Sequence, residues 1–457
     1  MADAIFKRVV RIERPAAEVF AWHERPGAFG RLCPPWERVE VTRHVGGIKD
    51  GARVSLRTKV GPIWAKWEIV HRDYIEGQQF RDVLLSGPFA RWEHLHRIEP
   101  LGPSACELTD EIHYRLPFGM LGRLGGAAFT RWQLERMFAY RHAVTKADLE
   151  YASSGPRKCI LVSGASGLIG RTLEAFLLTQ GHTVRRLVRR EPLASNEFNW
   201  DPARGEIDRA ALAGVDAVVH LGGANVGGGR WTPKRKAEIL SSRVDGARTL
   251  AAGIAALNAS QRPEVFVSAA AVGFYGERGE ERLEEHAGLG SGFLADVCAA
   301  WEGELAAIEQ LGVRTVALRT GVVLTPAGGA LAKMLPAFLM GVGGRLGAGR
   351  QWMSWITPDD LCAMFERAVA DKTLRGAYNA VAPEPVTNAE FTSVLAQVLR
   401  RPAVLPVPKV ILRAIFGEMA DETLLASTRA VPARLQSTDF IWRQPDLQSA
   451  LRHVLGR

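Results

Sequence analysis

Apolar and polar residues alternate over residues 4–14, the period of a half-buried strand, and recur at helical spacing over 16–29. Further strand-like runs occupy 65–73, 79–85, 91–98 and 106–114, and a long helix is predicted from about 127 to 151. A strand, short helices, an antiparallel run and a closing helix make an α+β order. At 158 the pattern changes. Residues 158–163 form a short apolar run, Leu168, Ile169, Leu173, Phe176 and Leu177 recur at helical spacing, and HTVRRLVRR at 182–190 returns to strand. Short apolar runs at 217–221, 265–269 and 315–318 follow, separated by helical stretches, which predicts an α/β doubly wound parallel sheet. The tail from 383 is mainly helical, with VPKVILRAIFG and DLQSALRHVL as amphipathic stretches. The polar YASSGPR at 151–157 separates the two patterns, so the predicted domains are 1–152, 158–382 and 383–457.

The first strand of the second pattern runs into Gly164, Gly167 and Gly170, spaced three apart, and then into a helix. Each glycine has a physical role in a dinucleotide-binding unit. Gly164 permits the tight turn, Gly167 lets the backbone approach a pyrophosphate, and Gly170 lets the helix pack closely on the sheet. The helix N-terminus around Ser166, Leu168 and Ile169 offers unpaired N–H groups and a positive dipole end to phosphate. A plain strand-to-helix turn is the bland alternative; the strand before, the helix after and the second strand favour the nucleotide.

That second strand chooses the dinucleotide. An acid at its end would hold the adenosine ribose hydroxyls and favour NAD, but Arg189 and Arg190 stand there instead. Guanidinium groups pair bidentately with a 2′-phosphate, which points to NADP(H), with Arg189 the better candidate. The alternative is that one or both arginines only solvate the strand end.

Composition narrows the class. The chain has 457 residues, 47% of them hydrophobic, enough for two or more cores. The five cysteines carry no CxxC pairing, which argues against a disulfide framework or zinc ribbon, and no clear metal-ligand cluster stands out. The opening MADAIFKRVVRIE has charges where a signal peptide needs an apolar core, and no apolar run approaches a membrane span, so a cytoplasmic protein is expected. A net charge of +9 is dispersed among acids without a basic arm, which argues against nucleic acid and for an ordinary basic surface suited to anionic ligands.

GASGLIG at 164–170, DAVVHLGGANV at 216–226, FVSAAAVGFYG at 266–276 and LRTGVVLTPAGGAL at 318–331 occur in the order of extended short-chain dehydrogenases. More narrowly, NWDP at 199–202, GGRWTPKRKAEILSSRVDGARTL at 228–250, CAAWEGEL at 298–305, GAGRQWMSWITPDDL at 347–361 and the segment 407–435 resemble the YfcH-like epimerase family with its C-terminal extension. VRIERPAAEVFAWHERPGAFGRLCPPWERVEV resembles the START-like SRPBCC (polyketide cyclase/dehydrase) domains. That resemblance implies a helix-grip fold, a sheet curled around a long helix with an apolar ligand held between. Trp22, Phe29, Trp36, Trp64, Trp67, Trp92 and Phe138 either line such a cavity or form plain core.

The epimerase resemblance adds cofactor contacts at Leu221, Gly222 and Gly223, and at Ser268 and Ala269 near the nicotinamide. Arg230, Trp231, Lys236 and Arg243 form a basic helical cluster that binds an anionic substrate group or is a solvated face. Gln351, Trp352, Trp355 and Asp360 fall in the stretch that closes the substrate cleft in relatives. The usual catalytic set, a tyrosine with a lysine four residues on, is missing, because none of the six tyrosines has one. The corresponding positions fall near Leu294 and Cys298, and the serine position within 269–271. Tyr275 then remains as a candidate acid/base and Ser268 as its hydroxyl partner, against a packing tyrosine and a capping serine. Cys298 is a small buried thiol by default. Two functions follow as expectations: an NADP(H)-dependent oxidoreductase or epimerase-like enzyme on a small molecule, or a non-catalytic NADP(H) sensor coupled to a ligand of the first domain. Oligomerisation is left open.

Overall fold

The computed structural model describes residues 3–151 and 155–457, apart from the side chains of 120, 121 and 123; the expected junction at 152–154 lies outside the described residues. Two compact units emerge, one built mainly on residues 1–154 and one on 155–457. No helix among the described residues is long and apolar enough to cross a membrane.

The first unit has β1 (Ala4–Ile12), α1 (Ala16–Glu24), α2 (Ala28–Leu32), β2 (Val39–Val45), β3 (Arg53–Val60), β4 (Ile63–Ile75), β5 (Gln79–Ser86), β6 (Arg91–Pro100), β7 (Cys106–Arg115) and α3 (Gly119–Glu150). The strands pair antiparallel in the order β1-β7-β6-β5-β4-β3-β2. The expected helix over 16–29 is two helices, because Pro26 forces Arg25 into extended backbone at φ −70°, ψ 143°. The closing helix starts earlier than predicted, at Gly119, despite Gly122, Gly125 and Gly126, which lower its intrinsic propensity. Trp22 packs with Ile12, Phe20 and Phe80 in one core cluster; Trp92 and Phe138 pack with Phe6 and Ile112 in another. Arg31 on α2 meets Asp148 on α3 in a fork, 2.8 Å on each arm, with both side chains buried. Removing one member of such a pair costs about 3–5 kcal/mol, so it fixes α2 on α3.

The second unit has β8 (Cys159–Ser163), α4 (Leu168–Thr179), β9 (Thr183–Val188), β10 (Glu197–Asp201), β11 (Glu206–Ile207), β12 (Ala217–His220), α5 (Pro233–Ala255), β13 (Val265–Ala271), α6 (Phe293–Gly303) and α7 (Leu305–Glu309). It continues through β14 (Arg314–Thr320), α8 (Gly329–Leu339), α9 (Pro358–Ala370), β15 (Gly376–Ala380), α10 (Asn388–Leu399), α11 (Lys409–Phe416), α12 (Ala433–Gln436) and α13 (Leu447–Leu455). The main sheet runs β11-β10-β9-β8-β12-β13-β14-β15, parallel except for β11. Chain order reverses between β8 and β12, and ligands of such sheets sit outside the strand ends at that switch point.

Residues 383–457 do not stand apart from this unit. Leu331 and Phe338 of α8 and Trp355 share one buried cluster with Phe391 and Leu395 of α10 and with Leu447, Leu451 and Val454 of α13. A parallel pairing of Arg282–Leu283 with Arg429–Ala430 joins the extension to the chain after β13.

Candidate functional site

The glycine turn has the geometry its sequence requires. Gly164 sits at φ +75°, and a Cβ there would lie 2.9 Å from the Leu221 carbonyl carbon and 3.1 Å from Gly222 N. The turn therefore nests against the chain leaving β12. A Cβ on Gly170 would come within 2.2 Å of the Gly164 oxygen, so α4 packs on the turn with no room for a methyl group. Gly167 differs: a Cβ there meets only the Gly164 oxygen, at 3.1 Å. Its absent side chain serves the open side of the turn, where Ser166, Gly167 and Leu168 are exposed and Ile169 is half-buried at the start of α4. Gly167 N donates to Gly164 O at 3.0 Å, and the exposed start of α4 is the positive end of its helix.

The two arginines after β9 have different fates. Arg190 grips Glu197 of β10 in a fork, Nη1 to Oε2 at 2.8 Å and Nη2 to Oε1 at 2.7 Å. Glu197 also accepts Leu193 N at 2.7 Å and meets Arg186 Nη2 at 3.0 Å. Arg190, with the Leu193 amide and Arg186, holds the Glu197 carboxyl down to about 2. Arg189 is exposed and makes no hydrogen bond or ion pair among the described residues. The structure thus takes Arg190 for the protein and leaves Arg189 at the strand end.

At the switch point, Leu221 N donates to Ser163 O at 3.1 Å, while Ser163 Oγ and His220 Nδ1 lie 2.6 Å apart. Burial pushes His220 down to about 4, so it is a neutral core imidazole. Gly222 and Gly223 carry the chain onward, and a Cβ on either would approach His220 at 3.0 Å or Arg243 at 3.1 Å.

Beyond β13, Ser268 is buried with its Oγ donating to Ala269 O at 2.8 Å. Tyr275 ends a 3₁₀ turn, fully buried, donating from its hydroxyl to Asn379 Oδ1 at 2.7 Å and accepting from Arg319 Nη1 at 3.0 Å. Burial raises its phenol above the ordinary range. In this arrangement the hydroxyl bonds the core of β14 and β15, which is a packing role rather than an open acid/base. Leu294 and Cys298, one turn apart on α6, both face the end of β13: a Cβ on Gly273 would lie 3.4 Å from Leu294 Cβ and 3.7 Å from Cys298 Sγ. Burial pushes the Cys298 thiol up to about 12, which removes it as a nucleophile.

Beside these residues opens a cleft of about 330 Å³, lined by Gly273, Leu294, Lys409, Arg413, Glu422 and Thr428 among others. Glu422, which no sequence motif placed here, reaches this cleft from the C-terminal extension. Its carboxylate accepts Phe293 N at 2.9 Å and Leu294 N at 2.8 Å, capping α6 from the C-terminal extension. The basic cluster is largely structural: Lys236 pairs with Glu418 at 2.7 Å, Arg243 donates to Ala224 O at 3.2 Å and Ile239 O at 2.9 Å, and Trp231 donates to Val226 O at 3.0 Å. Arg230 is exposed. Of the four residues expected to close the cleft, Gln351 bonds Leu424 O at 3.1 Å and Trp352 bonds Glu280 at 2.6 Å. Trp355 and Asp360 stand in the core, Asp360 accepting Arg443 N at 2.7 Å.

The expectation of no metal-ligand cluster needs correction. In the first unit Asp82, His94 and His96 place ligand atoms within 4.8 Å of one another. Cross-strand register does this, and it is invisible to a search for close spacing along the chain.

Both units resemble known proteins. The NAD dependent epimerase/dehydratase family matches residues 160–380, a domain of unknown function (DUF1731) matches 407–454, and the polyketide cyclase / dehydrase and lipid transport family matches 12–138. The chain is 42% identical over 298 residues, 65% of its length and 98% of the relative's, to the epimerase family protein Mb2239 of Mycobacterium bovis. A crystal structure described as the nucleoside-diphosphate sugar epimerase from Corynebacterium glutamicum superposes with TM-score 0.80 at 33% identity, covering 99% of this chain and 90% of that one. Human epimerase family protein SDR39U1, solved with NADPH, gives TM-score 0.59 at 30% identity, covering 65% of this chain and 98% of that one.

Proposed function

We propose, from the premise that the chain belongs to the NAD dependent epimerase/dehydratase family, that its second unit binds NADP(H) and presents it to a small molecule held in the cleft beside Leu294. The exposed, unengaged Arg189 beside the glycine turn carries this reading. The pyrophosphate would lie on Ser166, Gly167, Leu168 and Ile169, with Gly164 and Gly170 shaping the turn and Leu221, Gly222 and Gly223 passing the adenosine ribose. A relative solved with NADPH supports the same choice of cofactor. Bound NADP(H) supplies hydride chemistry; the chain's own residues bind and orient it. Ser268 and Ala269 line the nicotinamide end. Tyr275 and Ser268 act here as positioning residues that hold the end of β13. The cleft wall is of mixed charge: Arg413 pairs with Asp421 at 2.8 Å, and Lys409 is its other cation beside Glu277 and Glu422, a lining suited to a polar substrate. The first unit holds an apolar ligand in this scheme.

A second reading is a cofactor sensor without turnover. Leu294 and Cys298 favour it, because neither transfers a proton at the positions where a tyrosine and lysine are expected. Titration of the full chain with NADPH and NADH, followed by incubation with carbonyl and sugar-nucleotide substrates, separates the two. Saturable NADPH binding with turnover of one substrate class supports the enzyme; tight binding with none supports the sensor. Failure to prefer NADPH over NADH removes the cofactor assignment from both.

A further inference from the structure

The first unit buries a polar cluster where an apolar sheet face is expected. His71 of β4 lies opposite Asp82 of β5, Asp82 opposite His94 of β6, and His96 opposite Asp110 of β7. Opposed residues share a face, as do residues two apart on a strand, so all five project together. His142 of α3 joins them from above, its Nε2 bonding Asp110 Oδ2. His71, His94, His96, Asp110 and His142 are 2–6% exposed, whereas the Asp82 side chain is 22% exposed.

The distances within the cluster fall into two kinds. Asp110 Oδ1 stands 2.8 Å from His94 Nε2 and 2.8 Å from His96 Nδ1, which makes one carboxylate oxygen the acceptor for an N–H from each ring. The remaining nitrogens, His94 Nδ1 and His96 Nε2, face Asp82 Oδ2 at 3.6 and 3.4 Å, the second a long hydrogen bond when that nitrogen carries a proton. Those separations exceed the 2.7–3.2 Å of a good N–H···O bond. They are close to the edge of roughly 3.3 Å between ligands placed about 2.0–2.1 Å from a tetrahedral ion. A proton on His96 Nε2 satisfies this contact in one state of the cluster, and with both rings neutral and their second nitrogens bonded to Asp110 the two lone pairs and the carboxylate oxygen converge on a space that suits a cation. Asp82 Oδ1 is buried without a hydrogen-bond partner, and His71 Nε2 lies 3.6 Å from it.

We propose that Asp82, His94 and His96 bind a first-row divalent transition metal of the zinc and iron(II) class. Two imidazoles and a carboxylate are the ligand set such ions favour over magnesium or calcium. Asp110 is the positioning residue: it fixes both rings through their second nitrogens, the arrangement that orients histidines in metal sites. His71 stands beside the carboxylate at 3.6 Å, beyond hydrogen-bond distance. The open coordination position lies on the side where Asp82 meets solvent, which leaves room for water or an oxygen donor from a ligand of this unit.

The test uses the full chain stripped with chelator and titrated with Zn²⁺ alone by calorimetry, and with Co²⁺ by visible absorption. One equivalent binding with Kd at or below about 1 μM, with the d–d bands of four- or five-coordinate Co²⁺, is expected. Asp82→Asn and His96→Gln should each weaken binding at least about 100-fold, and Asp110→Asn about 10- to 100-fold, at unchanged NADPH affinity. Near-UV circular dichroism, which reads Trp67 and Trp92 packed in this unit's core, checks that each variant is folded. If the buried variants do not fold, Asp82→Asn at its half-open position and the Co²⁺ spectrum of the unaltered chain still decide. Absence of saturable binding, or stoichiometric binding that Asp82→Asn leaves intact, overturns the proposal.

Discussion

Replacing Arg189 or Arg190 by alanine distinguishes two guanidinium groups that are adjacent in sequence and opposite in use. Arg190 is held by two charge-assisted bonds at 2.8 and 2.7 Å, so turning it toward a phosphate first breaks both. Arg189 has no such bonds to break among the described residues. A fork from Arg189 to a 2′-phosphate, discounted for exposure, adds about 2–3 kcal/mol, or roughly 30- to 150-fold in affinity. Arg189→Ala should therefore weaken NADPH binding by that factor, leave NADH binding unchanged and leave the melting temperature unmoved. Arg190→Ala should do the reverse. Glu197 keeps Arg186 at 3.0 Å, so only a small drop in Tm is expected, with selectivity nearly intact. Calorimetric titration with both dinucleotides, beside thermal unfolding, reads all four numbers. An NADPH:NADH ratio that survives Arg189→Ala, or that collapses in Arg190→Ala at unaltered Tm, refutes the assignment.

Three further expectations concern the same unit. Gly167→Ala should cost under about 1 kcal/mol of stability yet weaken NADPH binding tenfold or more, whereas Gly170→Ala, with its Cβ 2.2 Å from a backbone oxygen, should destabilise by about 3 kcal/mol or more; equal melting temperatures for the two variants would contradict this. Tyr275→Phe strips Asn379 and Arg319 of a partner and should cost about 1–3 kcal/mol in urea unfolding with NADPH affinity unchanged; loss of turnover without loss of stability would make Tyr275 an acid/base instead. His220, held at about 4 when folded against about 6.5 unfolded, binds its proton more weakly in the native state. Its contribution is complete above about pH 6.5 and is lost as pH falls toward 4, roughly 3 kcal/mol in all, so His220→Gln should flatten the acid limb of stability measured between those pH values.

The change of period at residue 158 and the glycine spacing made the second unit's sheet, its turn and its helix legible, because each is set by local geometry. Arg190 was not separable from Arg189, since its partner Glu197 arrives on the next strand. Tyr275 looked accessible in sequence because Asn379 and Arg319, which saturate it, come from β15 and β14 far along the chain. The buried cluster left one trace, a His-x-His at 94–96 that puts both rings on one strand face. Asp82 and Asp110 reach those rings only through pairing with the flanking strands, which the spacing does not encode. The amphipathic helices after 383 were visible, but not that α8 and Trp355 are the surface they cover.

That shared cluster also orders events during synthesis. Leu331, Phe338 and Trp355 are translated long before Leu447, Leu451 and Val454, which bury them. At about 5–20 residues per second, the stretch from 383 to 457 takes roughly 4–15 s to make. For that interval the nascent Rossmann sheet carries an uncovered apolar flank, and Glu422 has yet to cap α6 for part of it. That flank is covered only when α13 emerges, and the glycine turn and the cleft reach completion at different times.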